Sequence, residues 1–330
     1  MIAGAKMIRQ LSGYSAALLA LVSCAERQDS ERSATRSPVT QTHSAVPARV
    51  AAAQPDASAA RSSAPAQAFE PPAELRLPNG RAQGAKVPLL VLLHGFGVSS
   101  ALLIWKAGLN SIADSKQFAY LAPQGNSDSQ GRPFWNAGTS CCDLDRTGVD
   151  DVGRLRALIE ANLGNPGIDP ARVFVIGYSN GGFMAHRLAC EMSDHLAGII
   201  SVAGAAPNAD VSCAPTTPLS VLEIHGDADP VVHYQGGTVF DRTDQAPHGS
   251  ALDTARYWAT RLACQPAPVD GGRLDIEPYV SERETEVQRF EGCRGAVELW
   301  TVHGGAHYVA LQPPAIEAMW AFVQAHPKAH

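Results

Sequence analysis

Residues 172–182 read RVFVIGYSNGG, where a β-branched run passes directly into Gly-x-Ser-x-Gly with Ser179 at its centre. The run predicts a buried strand, and residues 183–190 predict a helix directly after the motif. A serine on so sharp a strand-to-helix turn needs small neighbours, because larger side chains would crowd the backbone. The helix N-terminus then offers partial positive charge to an oxyanion. A plain glycine-rich turn is the alternative, but this context favours Ser179 as a nucleophile.

The rest of the chain alternates short apolar runs with segments of helical periodicity. Strands are predicted at 87–94, 118–122, 172–176, 197–203, 219–225 and 296–302, and helices at 101–116, 150–163, 183–190, 254–262 and 314–323. This alternation predicts an α/β fold with a mostly parallel sheet and helices on both faces. Only about fifteen residues join the strands at 197–203 and 219–225, which leaves no room for a large cap domain. Residues 123–148 predict a long loop that is either functional or disordered.

A serine hydroxyl is a weak nucleophile, so Ser179 needs a base and a group that orients it. In folds with this turn the order along the chain is serine, then an acid after a later strand, then histidine after the last strand. Asp229 follows the strand 219–225, and His307 follows the strand 296–302. We therefore predict Ser179 as nucleophile, His307 as general base and Asp229 as the orienting acid.

Each partner of the serine has a rival nearby. Asp227 is the rival acid, although its short side chain is equally suited to capping the turn. His303 is the rival base, but it lies nearer the strand end, where a structural role is expected. His303 and His307 also form His-x-x-x-His, yet the Gly-Gly between them removes the helix a zinc site would need, so no metal is expected. His225 and His233 flank the acid turn and are interpreted as packing or rim residues.

The segment His94-Gly95-Phe96-Gly97 ends the first strong strand, where a fold of this kind builds half of its oxyanion hole. The expected donors are the backbone N–H groups of Phe96 and of Asn180, the residue after the nucleophile. Taken alone, His94-Gly95 is also what a tight exit turn would show.

The N-terminus has the features of an export signal. Lys6 and Arg9 precede the apolar stretch 11–22, which is too short for a stable membrane span and ends in Leu-Val-Ser-Cys. This resembles the lipobox of bacterial lipoproteins, so residues 1–23 are predicted to be a signal peptide and Cys24 to be lipidated; an ordinary signal peptide is the alternative. Residues 24–70 are rich in Ala, Ser, Pro, Gln and Arg and show no sustained hydrophobic period, which predicts a disordered tether. The catalytic domain is predicted over 71–327.

Of the seven cysteines, six lie beyond Cys24. An even number in an exported chain favours disulfides, whose connectivity a sequence alone does not fix. Placement in loops favours Cys190–Cys213 and Cys264–Cys293. The adjacent Cys141 and Cys142 are then a vicinal pair or two free thiols.

Taken together, these segments resemble the secreted esterase group of α/β-hydrolases, which includes polyhydroxybutyrate depolymerases, feruloyl esterases and acetylxylan esterases. The resemblance rests on LLHGFG, the segment from Trp135 to Cys142, VDDVGRLRALIE, GYSNGGFMAHRLAC, IHGDADPVVHYQGG and GGAHY. It implies an α/β-hydrolase fold, with Ser179, Asp229 and His307 as the triad and Phe96 in the oxyanion loop. Many depolymerase-like members continue the histidine with Thr/Ser-Trp-Pro-Gly, whereas His307 runs into Tyr-Val-Ala-Leu. The resemblance therefore does not identify the acyl and alcohol groups of the substrate.

The resulting hypothesis is an exported, membrane-anchored serine esterase that acts without a cofactor on bulky or polymeric esters. Trp135 and Tyr178 are expected to border the substrate, although Trp135 is equally suited to the core. A serine peptidase on the same fold and a catalytically dead binding lipoprotein are the alternatives. The net charge of −6 and the lack of a long basic cluster exclude nucleic acid as a partner.

Overall fold

The computed structural model of the protein describes residues 73–106, 108–278, 280, 283–310 and 312–328. The predicted signal peptide, Cys24 and the predicted tether all lie outside these ranges, and the bounds 71–327 of the catalytic domain stay a prediction. None of the helices in the ranges given combines the length and apolar character needed to cross a bilayer.

An eight-stranded sheet forms the centre of the described region, and a separate two-stranded hairpin lies beside it in the chain. The strand bounds are β1 Val87–Leu93, β2 Ala119–Leu121, β3 Asn126–Ser127, β4 Pro133–Phe134, β5 Ile168–Tyr178, β6 Gly198–Val202, β7 Ser220–Gly226, β8 Val269–Leu274, β9 Thr285–Phe290 and β10 Val297–Val302. The order in the large sheet is β2-β1-β5-β6-β7-β10-β9-β8, and β3 and β4 form the hairpin. The strands from β2 to β10 in this order run parallel, β9 is antiparallel to β10, and β8 is antiparallel to β9.

Helices cover both faces of the sheet. Strand β1 shows why, because Leu89 and Val91 pack into one core while Leu90 and Leu92 pack into the other. The helix bounds are α1 Ser100–Lys106, α2 Leu109–Lys116, α3 Asp151–Leu163, α4 Asn180–Glu191, α5 Ala251–Arg261 and α6 Pro313–Ala325. Helices α3, α4 and α5 contribute to the first core, and α2 and α6 to the second. The predicted α/β-hydrolase architecture, mostly parallel and with helices on both faces, is confirmed.

The structure differs from the sequence prediction in two elements. The helix predicted over 101–116 is two helices, because Gly108 adopts a left-handed conformation at φ 58° and breaks the helical path between α1 and α2. The antiparallel strands β8 and β9 were not predicted. Strand β8 carries exposed residues and two adjacent glycines, so it lacks the apolar signal of a buried strand.

The long loop predicted over 123–148 is held by a buried carboxylate. Asp151, at the start of α3, accepts the backbone N–H of Asn136 at 2.8 Å and the side-chain amide of Asn126 at 3.0 Å. It also lies 3.0 Å from the guanidinium of Arg154. Burial raises the pKa of Asp151 to about 6, although Asn136 and Arg154 act in the opposite direction. Asp151 thus joins the beginning and the middle of the loop to α3.

Three disulfides occur among the described residues. Cys190 in α4 pairs with Cys213 in the connection before β7, and Cys264 after α5 pairs with Cys293 after β9. Cys141 and Cys142 form a vicinal disulfide, the first of the two alternatives left open by the sequence. Disulfides of this kind are typical of proteins that mature outside the reducing cytosol.

Candidate active site

Ser179 lies on the turn between β5 and α4, with φ 54° and ψ −119°. Few non-glycine residues adopt this conformation, and the hydrogen bond from the Ser179 N–H to the Val202 carbonyl, at 2.7 Å, helps to hold it. Both motif glycines are required by close approach. A Cβ at Gly177 would lie 1.9 Å from the Gly181 carbonyl oxygen, and one at Gly181 would lie 2.2 Å from the Leu93 carbonyl oxygen.

The structure brings Ser179, His307 and Asp229 together from three separate connections. His307 Nε2 lies 2.9 Å from Ser179 Oγ, and His307 Nδ1 lies 2.7 Å from Asp229 Oδ2. A carboxylate oxygen accepts, so Nδ1 carries the proton and Nε2 is free to accept the serine proton. Ser179 and His307 are only 8% and 6% exposed. The imidazole therefore stands in the position of a general base towards the hydroxyl.

Asp229 is held in place by the turn that carries it. Its Oδ1 accepts the backbone N–H groups of Val231 at 2.8 Å and Val232 at 3.0 Å, which leaves Oδ2 to face His307. Burial would raise the pKa of Asp229, but hydrogen bonding from His225 and His307 outweighs it and holds this pKa well below its usual range. Asp229 therefore stays ionised throughout the neutral pH range.

The rival residues Asp227 and His303 pair with each other instead. Asp227 Oδ2 lies 2.8 Å from His303 Nδ1, and its other oxygen accepts the Gly304 N–H at 2.7 Å. The second nitrogen of His303 faces Glu286 Oε2 at 3.2 Å. His303 thus lies between two carboxylates near the surface and has no contact with the serine. Within the described residues no three His, Cys, Asp or Glu side chains are grouped as metal ligands.

The predicted oxyanion loop lies directly beside the nucleophile. A Cβ at Gly95 would be 3.4 Å from Ser179 Cβ. Next along the loop, the Gly97 N–H donates to the Pro133 carbonyl at 2.8 Å, whereas the N–H groups of Phe96 and Asn180 donate no hydrogen bond within the described residues. Both groups are thus available to a substrate oxygen. The Phe96 ring packs under the guanidinium of Arg132, 4.8 Å from the ring centroid.

Trp135 supports the site from inside and does not border it. Its side chain is 0% exposed, and the indole N–H donates to the His94 carbonyl at 3.0 Å. The side-chain oxygen of Asn180 accepts the backbone N–H of Trp135 at 2.7 Å, and the side-chain nitrogen of Asn180 donates to the Trp135 carbonyl at 2.9 Å. A side chain so enclosed cannot stack on a substrate. The prediction that Trp135 borders the substrate is therefore wrong, and Trp135 belongs to the core, which was the alternative.

His94 has a structural role that the sequence did not reveal. Its Nε2 accepts the Gly125 N–H at 2.9 Å, and Nδ1 donates to the Gly95 carbonyl at 2.8 Å. Burial lowers the pKa of His94 to about 4, although the bond to Gly95 acts in the opposite direction. The ring is therefore neutral and fixes the oxyanion loop against the loop after β2. The sequence signal for this role was the position of His94 at the end of a buried strand.

Two tyrosines flank the imidazole of His307. Tyr178 donates its hydroxyl to the His307 carbonyl at 2.8 Å, and its ring stacks on that of Tyr308 with centroids 5.9 Å apart. Burial, followed by the proximity of Tyr308 and Asp229, raises the pKa of Tyr178. Tyr308 is 53% exposed. Tyr178 thus packs against His307, and its contact with substrate stays a prediction. The exposed aromatic surface belongs to Tyr308, which the sequence prediction did not include.

The flanking histidines separate into one buried and one partly exposed residue. His233 pairs with Asp241 at 2.8 Å on the rim. His225 is buried, and its Nε2 lies 3.4 Å from Asp229 Oδ2. Behind it lies Glu223, a buried acid on the same strand, β7, which was not among the predicted site residues. Glu223 and His225 are two residues apart on β7 and therefore share a face, and that spacing was the available signal.

Known proteins show similarity over much of this chain. Residues 81–246 match the profile of the phospholipase/carboxylesterase family. "Putative esterase NocK" of Nocardia uniformis subsp. tsuyamanensis is 33% identical over 246 residues, covering 70% of this chain and 66% of that protein. "Feruloyl esterase B" of Piromyces equi is 26% identical over 251 residues, covering 71% of this chain and 42% of that protein. This chain thus spans less than two thirds of the length of these relatives.

Among solved structures, an acetyl xylan esterase from Aspergillus awamori aligns with a TM-score of 0.53 at 13% identity, covering 76% of this chain and 93% of that one. At that identity the match shows the fold alone. The family profile covers half of the sequence and includes the oxyanion loop, Ser179 and Asp229. The expectation of an ester-hydrolase family is thereby confirmed, and the chain belongs to the phospholipase/carboxylesterase family.

Proposed function

We propose that this protein hydrolyses carboxylic esters through a covalent acyl-enzyme on Ser179. The observation that carries the proposal is the position of His307, whose two ring nitrogens lie 2.9 Å from Ser179 Oγ and 2.7 Å from Asp229 Oδ2. This arrangement suits a neutral imidazole that accepts one proton while an ionised carboxylate orients it. Such chemistry needs neither a metal nor a cofactor.

In the first half of the reaction, Ser179 Oγ bonds to the ester carbonyl carbon as its proton passes to His307 Nε2. The carbonyl oxygen becomes an oxyanion, to which the backbone N–H groups of Phe96 and Asn180 donate hydrogen bonds. Asp229 stabilises the imidazolium that has formed at His307. The bond from carbon to the alcohol oxygen then breaks, and His307 returns the proton to that oxygen.

The second half repeats these steps with water in place of the alcohol. His307 Nε2 takes a proton from water while the water oxygen bonds to the acyl carbon. The bond to Ser179 Oγ breaks, and the proton returns to the serine. Each oxyanion donor in such a site is worth about 3–4 kcal/mol when it is preorganised.

We propose bulky or polymeric esters as the substrate class, either polyhydroxyalkanoate chains or feruloyl and acetyl esters of polysaccharide. Two features support this choice. The connection from β6 to β7, at 203–219, contains no helix that would cover the serine. Tyr308 presents an exposed ring next to His307, with ring centroids 5.5 Å apart. An aromatic side chain there suits stacking against a sugar or ferulate ring. The names of the relatives, feruloyl and acetylxylan esterases, point to the same class.

The test of catalysis is the turnover of p-nitrophenyl acetate by the wild type and by Ser179→Ala. We expect the variant to lose about 10⁴- to 10⁶-fold in kcat while it keeps its fold. A fluorophosphonate probe should label the wild type alone. Cleavage of peptides without cleavage of esters would favour the serine peptidase. Failure of the probe to label folded wild type would favour the binding lipoprotein.

The substrate class is tested by a panel of esters that differ in acyl length and in aromaticity, with Tyr308→Ala beside the wild type. If the ring contacts the substrate, the variant should lose kcat/KM on methyl ferulate by more than it loses on p-nitrophenyl acetate. Equal losses on both esters would contradict a role of Tyr308 in selecting substrates.

We further propose export of the chain and lipid anchoring at Cys24. The three disulfides support maturation in an oxidising compartment. The test is metabolic labelling with an alkyne fatty acid in a bacterial host, followed by fractionation. The wild type should carry label and sediment with membranes, whereas Cys24→Ala should do neither. An unlabelled, soluble wild type would contradict the anchor and leave the proposed catalysis untouched.

A further inference from the structure

Strand β7 carries a buried carboxylate behind the catalytic acid. Glu223 is 0% exposed, and its Oε2 lies 2.9 Å from His186 Nε2 on α4. The other nitrogen of that ring, Nδ1, accepts the indole N–H of Trp258 at 2.9 Å. Because Nδ1 accepts a hydrogen bond, it carries no proton, and Nε2 is the donor to Glu223. One oxygen of this carboxylate is thus satisfied by a neutral ring.

The second oxygen of Glu223 faces His225. Glu223 Oε1 lies 3.3 Å from His225 Nδ1, close enough for an ion pair, though neither atom has an aligned hydrogen bond. The opposite nitrogen, Nε2, lies 2.8 Å from the Val232 carbonyl oxygen and 3.4 Å from Asp229 Oδ2. A carbonyl oxygen only accepts, so Nε2 carries a proton. A neutral ring would therefore direct the Nδ1 lone pair at a carboxylate, whereas an imidazolium directs an N–H at it.

The electrostatic surroundings favour the charged ring. Burial acts against a charge on His225, but Asp229 and Glu223 outweigh it and raise the pKa of His225 to about 9. Burial likewise acts against ionisation of Glu223, but the two histidines lower its pKa. At neutral pH, therefore, Glu223 is negative, His225 is positive and Asp229 is negative.

We propose that His225 is a positioning residue for the triad, a buried imidazolium that Glu223 holds against Asp229 and that offsets part of the negative charge of that carboxylate. This inference rests on the proposed function. Asp229 Oδ2 faces two imidazoles, His307 at 2.7 Å and His225 at 3.4 Å. A cation on one side of the carboxylate weakens its stabilisation of a second cation on the other. We therefore expect the acid limb of the activity profile to lie at lower pH with this cation present than without it.

Other groups near His225 could contribute to the same effect. The edge of its ring meets the Tyr234 ring with centroids 5.7 Å apart, and Tyr234 bonds to Thr301 on β10. His248 carries a pKa that burial lowers, with His225 acting in the same direction. The titratable and charged groups around His225 are thus Glu223 on its own strand, Asp229 and Tyr234 after it, His186 behind Glu223, His248 before α5, and His307 beyond Asp229.

The experiment is the pH profile of kcat/KM on p-nitrophenyl acetate for the wild type, Glu223→Gln and His225→Gln. Gln fills the space of Glu, can accept from His186 and can donate to a neutral His225, so the first variant should fold. We expect its acid limb to move to higher pH by about 0.5–1 unit, with the plateau within about threefold of the wild type. The limb of His225→Gln should move further, because the cation is lost while Glu223 remains.

A matched control distinguishes this effect from a general one. His303 also lies between two carboxylates, but it does not touch Asp229. His303→Gln should leave the acid limb in place. Limbs that coincide with the wild type in Glu223→Gln and His225→Gln, or a uniform loss at every pH, would overturn the proposal and leave a merely structural role. A shift in His303→Gln equal to that in Glu223→Gln would overturn it too.

A second measurement does not depend on turnover. In protein labelled with ¹⁵N-histidine, both ring nitrogens of His225 should carry protons at pH 7.5, with the signal assigned by its loss in His225→Gln. A neutral His225 at that pH would overturn the proposal even if the esterase is active. If no ester is hydrolysed, the proposed function fails, and this spectrum still decides whether the buried cation exists.

Discussion

Two histidine–aspartate pairs join the same two loops of this protein, and only one of them lies beside Ser179. The loop after β7 supplies Asp227 and Asp229, and the loop after β10 supplies His303 and His307. The Nδ1-to-Oδ2 distance is 2.8 Å in the pair of Asp227 and His303, and 2.7 Å in the pair of Asp229 and His307. The side chains of the first pair are 34% and 40% exposed, and those of the second are 0% and 7% exposed. The two pairs thus differ in exposure, but the distance between histidine and aspartate does not distinguish them.

The other ring nitrogen makes the difference. His307 Nε2 faces the hydroxyl of Ser179 and can take its proton, whereas His303 Nε2 faces the carboxylate of Glu286. A histidine between two carboxylates has no group to activate. Burial adds to the contrast, because an ion pair in a low-dielectric interior interacts more strongly than one in contact with water. A base at this site thus depends on its third partner and on the exclusion of water.

The partly exposed pair still has a mechanical role. Asp227 accepts the Gly304 N–H at 2.7 Å, and the Ala228 N–H donates to the Gly305 carbonyl at 3.0 Å. These bonds tie the acid loop to the histidine loop next to the residues that carry Asp229 and His307. Asp227 thus helps to fix the two loops that carry Asp229 and His307.

The largest expected effect comes from replacing each histidine in turn. His307→Gln removes the base, so kcat on p-nitrophenyl acetate should fall by about 10⁴- to 10⁶-fold. His303→Gln should stay within about twofold of the wild type, because its ring touches neither Ser179 nor Asp229. Both variants are measured at pH 8 after circular dichroism has shown that they fold. A loss of more than a hundredfold in His303→Gln would break the comparison.

The acids should show a smaller contrast in the same direction. Asp229→Asn keeps the shape of the side chain but no longer holds the productive tautomer of His307, and kcat should fall by about 10⁴-fold. Asp227→Asn should change kcat by about threefold at most, since its contacts are to His303 and a backbone amide. Equal losses in the two variants would mean that the loops respond as one unit and that the partly exposed pair is also needed for turnover.

The sequence predicted the parts of the fold that burial marks. Strand β7 reads SVLEIHG and β10 reads VELWTV, both buried throughout, and such runs are what parallel strands between two helical layers require. Strand β9 reads TEVQRF and lies near the sheet edge, with Glu286, Gln288 and Arg289 at least partly exposed. An apolar run is not needed there, so the sequence signal for that strand is weak. The break at Gly108 was missed because apolar periodicity continues across it.

The site shows a similar division. Chain order and spacing named Ser179, Asp229 and His307, because the end of each parallel strand delivers its loop to the same edge of the sheet. Trp135 was misjudged, since an aromatic residue in a polar loop gives no sign of the Asn180 amide that encloses it. The network behind Asp229 was missed for a related reason. The shared face of Glu223 and His225 is visible in the sequence, but only the folded turn brings the second of these to Asp229.

The smallest expected effect is in stability, and its pH dependence should run in opposite directions for the two pairs. Asp227, and then Glu286, raise the pKa of His303, although burial acts against them. A raised pKa in the folded state gives stability that is fully present below the unfolded value of about 6.5 and is lost as pH rises through the folded value. Asp229 has a lowered pKa, so its contribution is present above about 3.9 and is lost as pH falls.

Denaturant unfolding of the wild type and His303→Gln at several pH values tests this difference. Because the His303 side chain is 40% exposed, solvent screens the pair, and the variant should lose at most about 1 kcal/mol at pH 5.5. The difference should vanish near pH 9 and shrink in 1 M salt, whereas the loss in Asp229→Asn should be larger at pH 7 than at pH 3. A gap for His303→Gln that widens as pH rises would show that its contribution is packing rather than charge, and the two pairs would then differ in kind as well as in burial.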